Sequence, residues 1–273
     1  MKRLFEIEFQ KLITYTTFWV LIGIHLCLFL LVVFIATQIN ISVPGFEMKT
    51  FFAFPMVWNF IPWLASWFNL LLTILMIVLV GNEFQYRTFR QHIIDGLSRN
   101  ELIIGKGLVI LSIALYSVIL VFFTSFTVGL IYSESFSINM LFDKLYILVV
   151  YFIQAVAYMS LGMMLVILLK NIALAIVSFI LYFFPVEPII RNIFPDSILS
   201  FFPMKVISNL TPMPDIISIQ STNIQAQANG NAMKMLAIDN IQEISLSTNI
   251  GFALFYIAII TIISIFIINR RNL

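Results

Sequence analysis

Charged residues fall along this chain in clumps, and between the clumps lie long, uninterrupted apolar runs. No Asp, Glu, Lys or Arg occurs in 12–46, 50–82, 107–133, 145–169, 171–186 or 244–269. A helix needs about 20 apolar residues to cross about 30 Å of hydrocarbon. Five of the runs have that length, and 171–186 reaches it only with flanking residues. The runs are continuous, unlike the alternating segments of about 10 residues that build a membrane β-barrel. The pattern predicts an all-α membrane protein with six transmembrane helices at 16–38, 58–81, 102–132, 144–169, 171–186 and 249–268.

Composition agrees and narrows the class. Among 273 residues, 61% are hydrophobic and 10% charged, whereas a soluble domain carries about 25% charged residues. The whole chain, 1–273, is therefore expected to be one membrane domain. The first apolar run is longer than the 7–15 residues of a secretory signal core, so it reads as a span rather than a cleaved leader. Cys27 is the only cysteine, which excludes an internal disulfide and makes it a small apolar filler.

The Lys/Arg distribution orients the spans. Ten basic residues fall with the two termini and the second and fourth connections, against five on the other side, three of them in the long connection 187–248. The positive-inside rule then places both termini in the cytoplasm. Trp58 and Trp63 are expected in the outer interfacial belt and Trp19 in the inner one. The net charge of +2 gives no reason to expect nucleic acid as a partner.

Four features lie beyond the spans. Residues 1–14 read as an amphipathic helix in the membrane plane, with Phe5, Phe9, Leu12 and Thr16 at helical spacing beside Leu4 and Ile13. In the connection 82–106, Phe89, Ile93, Ile94 and Leu97 form one stripe of a short helix over about 84–97, while Arg87, Arg90, Gln91 and Asp95 lie mostly off it. Gly96 is placed to stop this helix, and Ser98 with Glu101 has the spacing of a capping box for the next. The third span has 31 residues and would run about 46 Å at about 1.5 Å per residue, enough to tilt or protrude and lift the connector from the bilayer. The outer region 187–248 contains apolar, proline-broken segments such as 188–202 that suit short re-entrant or interfacial helices, followed by the polar stretch 221–231.

The missing chemistry is informative too. Gly105-Lys106 is followed by Gly107, and Asn100 stands where a P-loop would need its first glycine, so no P-loop is present and no nucleotide cofactor is expected in this chain. His25 and His92 lie far apart without a zinc-protease motif. No catalytic, cofactor-binding or metal-ligating residue is assigned. No carboxylate, Lys or Arg lies well inside a predicted span, which argues against an ion-coupled carrier. His25 reads as a helix-packing side chain, and Ser125 with Gly129 as a small-residue pair that lets helices approach.

The stretch Glu83–Lys106 resembles the membrane subunit of type-2 ABC exporters, particularly Bacteroidetes-type permeases. Carrying the resemblance are Glu83 at the end of span two, Arg87-Thr88-x-Arg90, the short helix, Ser98-Arg99, and Gly105-Lys106 opening span three. The chain departs from the family in having Arg87 where glycine commonly precedes the threonine.

The resemblance implies a permease domain in the bacterial inner membrane, two such chains forming the membrane unit, and two separate P-loop ATPase subunits holding ATP and magnesium. The helix at 84–97 would be the coupling helix, with Glu83, Arg87, Thr88, Phe89, Arg90, Ile93, Ile94, Leu97, Arg99 and Lys106 as ATPase-coupling residues. The chain would not be an enzyme by itself. Export of an amphiphile (peptide antibiotic, drug, lipid or glycolipid) is the leading expectation. A mechanotransmitter of the same fold, driving a periplasmic partner, is the alternative, and an ion-coupled carrier or intramembrane enzyme is disfavoured.

Overall fold

Five helices are long and apolar enough to cross a membrane, and a sixth candidate span is a helix pair bent by 42°. The computed structural model describes residues 2–39, 42–43, 46–133, 138–214 and 245–270. The elements are α1 (Lys2–Thr14), α2 (Thr16–Gln38), a two-residue antiparallel pair β1 (Ser42–Val43) and β2 (Phe46–Glu47), a 3-10 turn (Met48–Phe52), α3 (Val57–Ser66), α4 (Asn69–Gln85), α5 (Thr88–Ile94), α6 (Arg99–Tyr132) and α7 (Ile138–Phe142). The chain continues with α8 (Ile147–Leu169), α9 (Ile172–Leu181), a π turn (Tyr182–Val186), α10 (Glu187–Arg191), α11 (Asp196–Leu199), α12 (Pro203–Ser208) and α13 (Leu246–Arg270). This is an all-helical architecture apart from the short β pair, and the long apolar helices are those of a multi-pass membrane protein.

Helix α8 is the axis of the bundle, packed by α4, α6, α9 and α13. Its apolar window is 67% buried, against 17% for α2 and α13, so the outer helices turn most of their apolar surface away from the protein. Gly162 brings α8 against α4: a Cβ there would meet Thr73 Cγ2 at 2.5 Å and the Thr73 carbonyl oxygen at 3.3 Å. Gly129 serves a different neighbour from the one its spacing with Ser125 suggests. Its missing Cβ leaves room for the ring of Phe54 in the turn before α3, not for a facing helix.

That turn belongs to an aromatic cluster of Phe51, Phe52, Phe54, Trp58 and Phe60 packed on α2, α6 and α8. Trp58 is fully buried and donates its indole N–H to the Leu141 carbonyl at 3.0 Å. It is a core side chain, not an interfacial anchor, because its one polar atom has a protein partner. Trp19, by contrast, is exposed and donates to the Ile13 carbonyl at 2.8 Å.

The fifth span differs from its expected end at Val186. The helix runs on from Ile172 to Arg191, absorbing Pro185 in the π turn. Proline removes one backbone donor and crowds the preceding turn, and a widened turn accommodates both. The extension carries Glu187 into the buried interior, where its carboxylate accepts the Met204 N–H at 3.0 Å and the Lys205 N–H at 2.9 Å. Glu187 thus enters the candidate span near its end, beyond the expected stop at Val186, and satisfies the first turn of α12 as an anion at a helix N-terminus.

Within residues 187–214 the most enclosed part lies beyond the stretch 188–202. It is α12 and its exit, with Val206, Ile207, Leu210 and Thr211 almost wholly enclosed, whereas Ile189, Ile193 and Ile198 are exposed. Gln154 of α8 holds this segment in place. Its Nε2 donates to the carbonyls of Ile207 (2.9 Å) and Ser208 (3.4 Å), and its Oε1 accepts from Thr211 Oγ1 (3.0 Å) and Asn69 Nδ2 (3.5 Å). Asn249 Nδ2 adds a bond from α13 to the Val206 carbonyl at 3.2 Å. The stretch 221–231 lies outside the described residues.

Candidate functional site

Helix α1, the C-terminal part of α4 and the N-terminal part of α6 converge on four charges. Lys106 of α6 donates to Glu8 of α1 and, at 2.5 Å, to Glu83 Oε1 of α4. Lys11 of α1 bonds Glu8 Oε1 at 3.1 Å and Glu83 Oε1 at 3.2 Å. Two carboxylates and two ammonium groups alternate around a closed ring, neutral in sum and buried except at Lys11 (31% exposed). Charges removed from water are tolerable when paired and hydrogen-bonded in this way.

Local sequence explains why the ring can close. Glu8 sits one helical turn from both Leu4 and Leu12, and all three are buried on one face of α1. Gly105 is the facing position on α6: a Cβ would come within 3.2 Å of Glu8 Cγ, so the missing side chain lets the carboxylate lie against the helix. The apolar stripe Phe5, Phe9 and Ile13 points the other way, roughly half exposed, with Phe5 and Phe9 stacked at 5.5 Å. The face of α1 packed on the chain is therefore Leu4–Glu8–Leu12, a face the sequence reading does not single out. The outward apolar face remains suited to a membrane interface.

Burial alone would raise the Glu8 carboxyl, but Lys106 and then Lys11, each also donating hydrogen bonds to it, outweigh that and hold it below its ordinary value of 4.5. A carboxyl depressed by folding contributes stability above the unfolded value, and that contribution is lost as pH falls through the lower folded one. Helix α1 is expected to stay docked at neutral pH and to loosen progressively below about pH 4.5. Hydrogen exchange of the α1 amides, corrected for intrinsic rates, checks this. A Glu8→Gln chain should already be loosened at neutral pH, and equal protection in both chains at all pH values would refute the assignment.

Beyond α4 the chain makes a left-handed turn at Arg87 (φ 58°) into α5. Glycine adopts that conformation freely, whereas a side chain there costs about 1 kcal/mol, so Arg87 occupies a glycine-like conformation. Helix α5 is shorter than 84–97, because Phe84 and Gln85 still belong to α4. It stops at Gly96 (φ 95°), where Gly96 N–H bonds the Ile93 carbonyl at 3.1 Å and Leu97 N–H the His92 carbonyl at 3.0 Å, a Schellman ending. Helix α6 then begins with the full Ser98–Glu101 capping box.

The ten residues singled out in the sequence divide into two groups. Arg87, Arg90 and Ile94 are exposed, Ile94 at 76%. Phe89 is instead turned inward, 2% exposed, its ring 4.6 Å from that of Phe84 and 6.0 Å from Lys106 Nζ. Ile93 and Leu97 pack partly against the same core. Phe89 thus roots the helix and is not a knob on its exposed side. Thr88 Oγ1 donates to the Glu83 carbonyl at 3.3 Å. Arg99 also faces the chain itself, donating to the Ile268 and Asn269 carbonyls at 3.0 and 2.8 Å and so capping the end of α13. Glu83 and Lys106 are brought together, but in the buried ring rather than on a docking surface.

Two hollows flank α5. One of about 350 Å³ is lined by Arg87, Arg90, Lys170, Glu83, Phe84 and Phe89, three cations against one carboxylate. The other, of about 330 Å³, opens between α1, α4 and α5. Sequence reading missed Glu8 and Lys11 as site residues. In sequence they are two of several charged residues of an amphipathic helix that also carries Lys2, Arg3 and Glu6, a pattern that ordinarily marks its solvent side. Among the described residues no group of three or more His, Cys, Asp or Glu side chains is placed to hold a metal ion. Comparison of the chain with protein-family models, with curated proteins and with solved structures finds no match.

Proposed function

We propose that this chain is the membrane subunit of an ABC exporter, in which α5 receives the motion of a separate ATPase. The observation that carries the reading is the build of α5. Its outer surface presents Arg87, Arg90 and Ile94, while its root at Phe89 is clamped onto Phe84 beside the ring that ties α1, α4 and α6 together. A push on such a helix reaches three elements as one body. The cationic hollow beside it suits an acidic segment of the ATPase, and arginine is suited to paired carboxylate recognition.

In this reading the termini and α5 are cytoplasmic and the membrane is the bacterial inner membrane. A second permease chain completes the unit, and ATP and magnesium are held by the ATPase. The substrate class is an amphiphile that crosses between the two chains. One observation favours the mechanotransmitter variant: α12 is bonded to the central helix α8 through Gln154, and to the α9–α10 helix through Glu187. Movement of the bundle would then be passed to the outer segment and on to a periplasmic partner.

Purification of the tagged chain from its host, with mass spectrometry of what accompanies it, tests the reading. A P-loop ATPase at roughly one copy per chain is expected, and its absence under several detergents would remove the proposal. A periplasmic companion would favour the transmitter variant. Reversing one exposed charge, Arg90→Glu, is expected to lower coupled ATP hydrolysis about tenfold, the equivalent of about 1.4 kcal/mol at the interface. Thermal stability should stay within about 0.5 kcal/mol, as for surface changes generally. Unchanged coupled turnover would sink the assignment of α5.

A further inference from the structure

The turns that follow α4 and α8 meet beside α5. Gly81 of α4 lies against Val166 of α8 and Ile172 of α9, and a Cβ at Gly81 would come within 3.1 Å of Val166 Cγ2. Earlier along both helices Thr73 touches Gly162, so α4 and α8 run side by side in the same direction and end together. Just past those ends stand Arg87 and Lys170. Among the described residues only Arg87, Lys144 and Lys170 have positive φ without being glycine. Two of these three, both cations, line the hollow of about 350 Å³ together with Arg90. A left-handed residue after a helix is ordinarily Gly or Asn, and backbone held in such a conformation by its surroundings clusters at ligand clamps.

The charge of the hollow is not balanced by its own lining. Glu83 is the one acid there, and its carboxylate already takes Lys11 and Lys106 in the ring. Each helix end carries about half a negative charge, less than the cation beside it. Among the described residues Arg87 and Arg90 form no ion pair. The Arg90 N–H bonds the Arg87 carbonyl at 3.1 Å, which sets the two side chains one turn apart, and all three cations are exposed at the mouth.

We propose that this hollow binds a phosphate group, carried by a phospholipid without a headgroup amine from the leaflet in which α4 and α8 end. The charge-free runs of these helices stop at Asn82 and Leu169, so the hollow stands at the boundary between hydrocarbon and water, where lipid phosphates lie. Arginine takes phosphate oxygens in paired hydrogen bonds, and lysine adds a point charge. Basic pockets between membrane helices are suited to anionic headgroups. An amine-bearing headgroup would bring a fourth cation against three. Phe84 and Phe89 supply an apolar wall for the rest of the headgroup region. An acidic ATPase segment would use the same cations and displace the lipid on docking, but the lipid site itself needs no ATPase.

The test uses the purified full-length chain, without ATPase, in nanodiscs of equal phosphatidylglycerol, phosphatidylcholine and phosphatidylethanolamine, followed by native mass spectrometry of retained lipid. One phosphatidylglycerol is expected to remain, with about tenfold preference over either competitor, the scale of two or three basic residues at a membrane surface. Arg87→Asn with Arg90→Gln should remove the preference, asparagine being tolerated at positive φ. Lys170→Asn should lower it several-fold and serves if the double variant fails to fold. Lys49→Gln with Lys144→Asn removes as much charge outside the hollow and should leave the preference in place. Millimolar inorganic phosphate separates the two sources of the group: displacement of the lipid points to free phosphate as sufficient ligand, and retention points to the phospholipid. Equal retention of the three lipids would overturn the proposal and leave the hollow to the ATPase. A preference that survives loss of the hollow's cations, or that falls equally in the control, would overturn it as well. Because no ATPase is present, failure here is distinct from failure of the coupling role proposed for α5.

Discussion

Lys106→Met is expected to destabilise the folded chain by roughly 3–5 kcal/mol, the range found when one partner of a buried ion pair is removed. The reason is what remains behind. Glu8 and Glu83 are both largely buried and both bonded to the Lys106 ammonium, so its loss leaves two carboxylates facing one partly exposed Lys11. The methionine fills most of the space, so the cost is electrostatic rather than a cavity. Adding Glu8→Gln and Glu83→Gln to the same chain should recover more than half of the loss, because neutral amides carry no comparable desolvation penalty. Thermal or denaturant unfolding in detergent measures both. A single substitution within about 1 kcal/mol of the parent would show that the ring is not closed in the folded protein. Failure of the triple variant to recover would show that packing, not charge, dominates at this junction.

Gln154→Leu is expected to cost about 2–4 kcal/mol, second only to the loss of Lys106. Individual hydrogen bonds between membrane helices average about 0.6 kcal/mol, too little for a single contact to matter greatly. Gln154 makes four, however, and they join α8 to α4 and to the segment around α12. Leucine would leave the Thr211 hydroxyl and the Ile207 and Ser208 carbonyls buried without this partner. The control is Asn69→Leu. Its side chain makes only long bonds, 3.5 Å to Gln154 and 3.3 Å from the Tyr151 hydroxyl, so a loss below about 1 kcal/mol is expected for each bond made so weakly. Both variants can be ranked by unfolding and by protease sensitivity of 203–211. The reverse order would mean that the α12 segment is held by its apolar contacts alone.

The two predictions concern opposite ends of the bundle and share one architecture. At each end a polar side chain from a long helix reaches a helix that is not among the candidate spans: α1 at one end, α12 at the other. The spans between are apolar on nearly every side, so these polar contacts are what specify register and placement. In water an apolar face alone would do that.

The same physics separates what was legible from what was not. The charge-free runs reveal the long helices because about 20 consecutive apolar residues have few alternatives to crossing a bilayer. The start of α6 and the end of α5 were equally legible, since the Ser98–Glu101 box and the freedom of Gly96 at positive φ act through residues adjacent in sequence. Glu83 and Lys106 were picked out, but as surface groups. Apolar periodicity identifies a buried face only when the alternative is water. Lipid is as apolar as leucine, so Phe5, Phe9 and Ile13 face outward while Leu4, Glu8 and Leu12 turn in. The inward turn of Phe89, the passage of a helix through Pro185 and the burial of Glu187 likewise depend on partners distant in the chain: Phe84 and Lys106 for the first, the N-terminal turn of α12 for the last. Sequence by itself determined that the chain is built on about five to six long apolar helices, their rough extent, and the local signals that start and stop them. Only the tertiary structure decided which faces meet and which charges close into a ring, because those choices are made by contacts across the bundle, where apolar pattern no longer distinguishes protein from lipid.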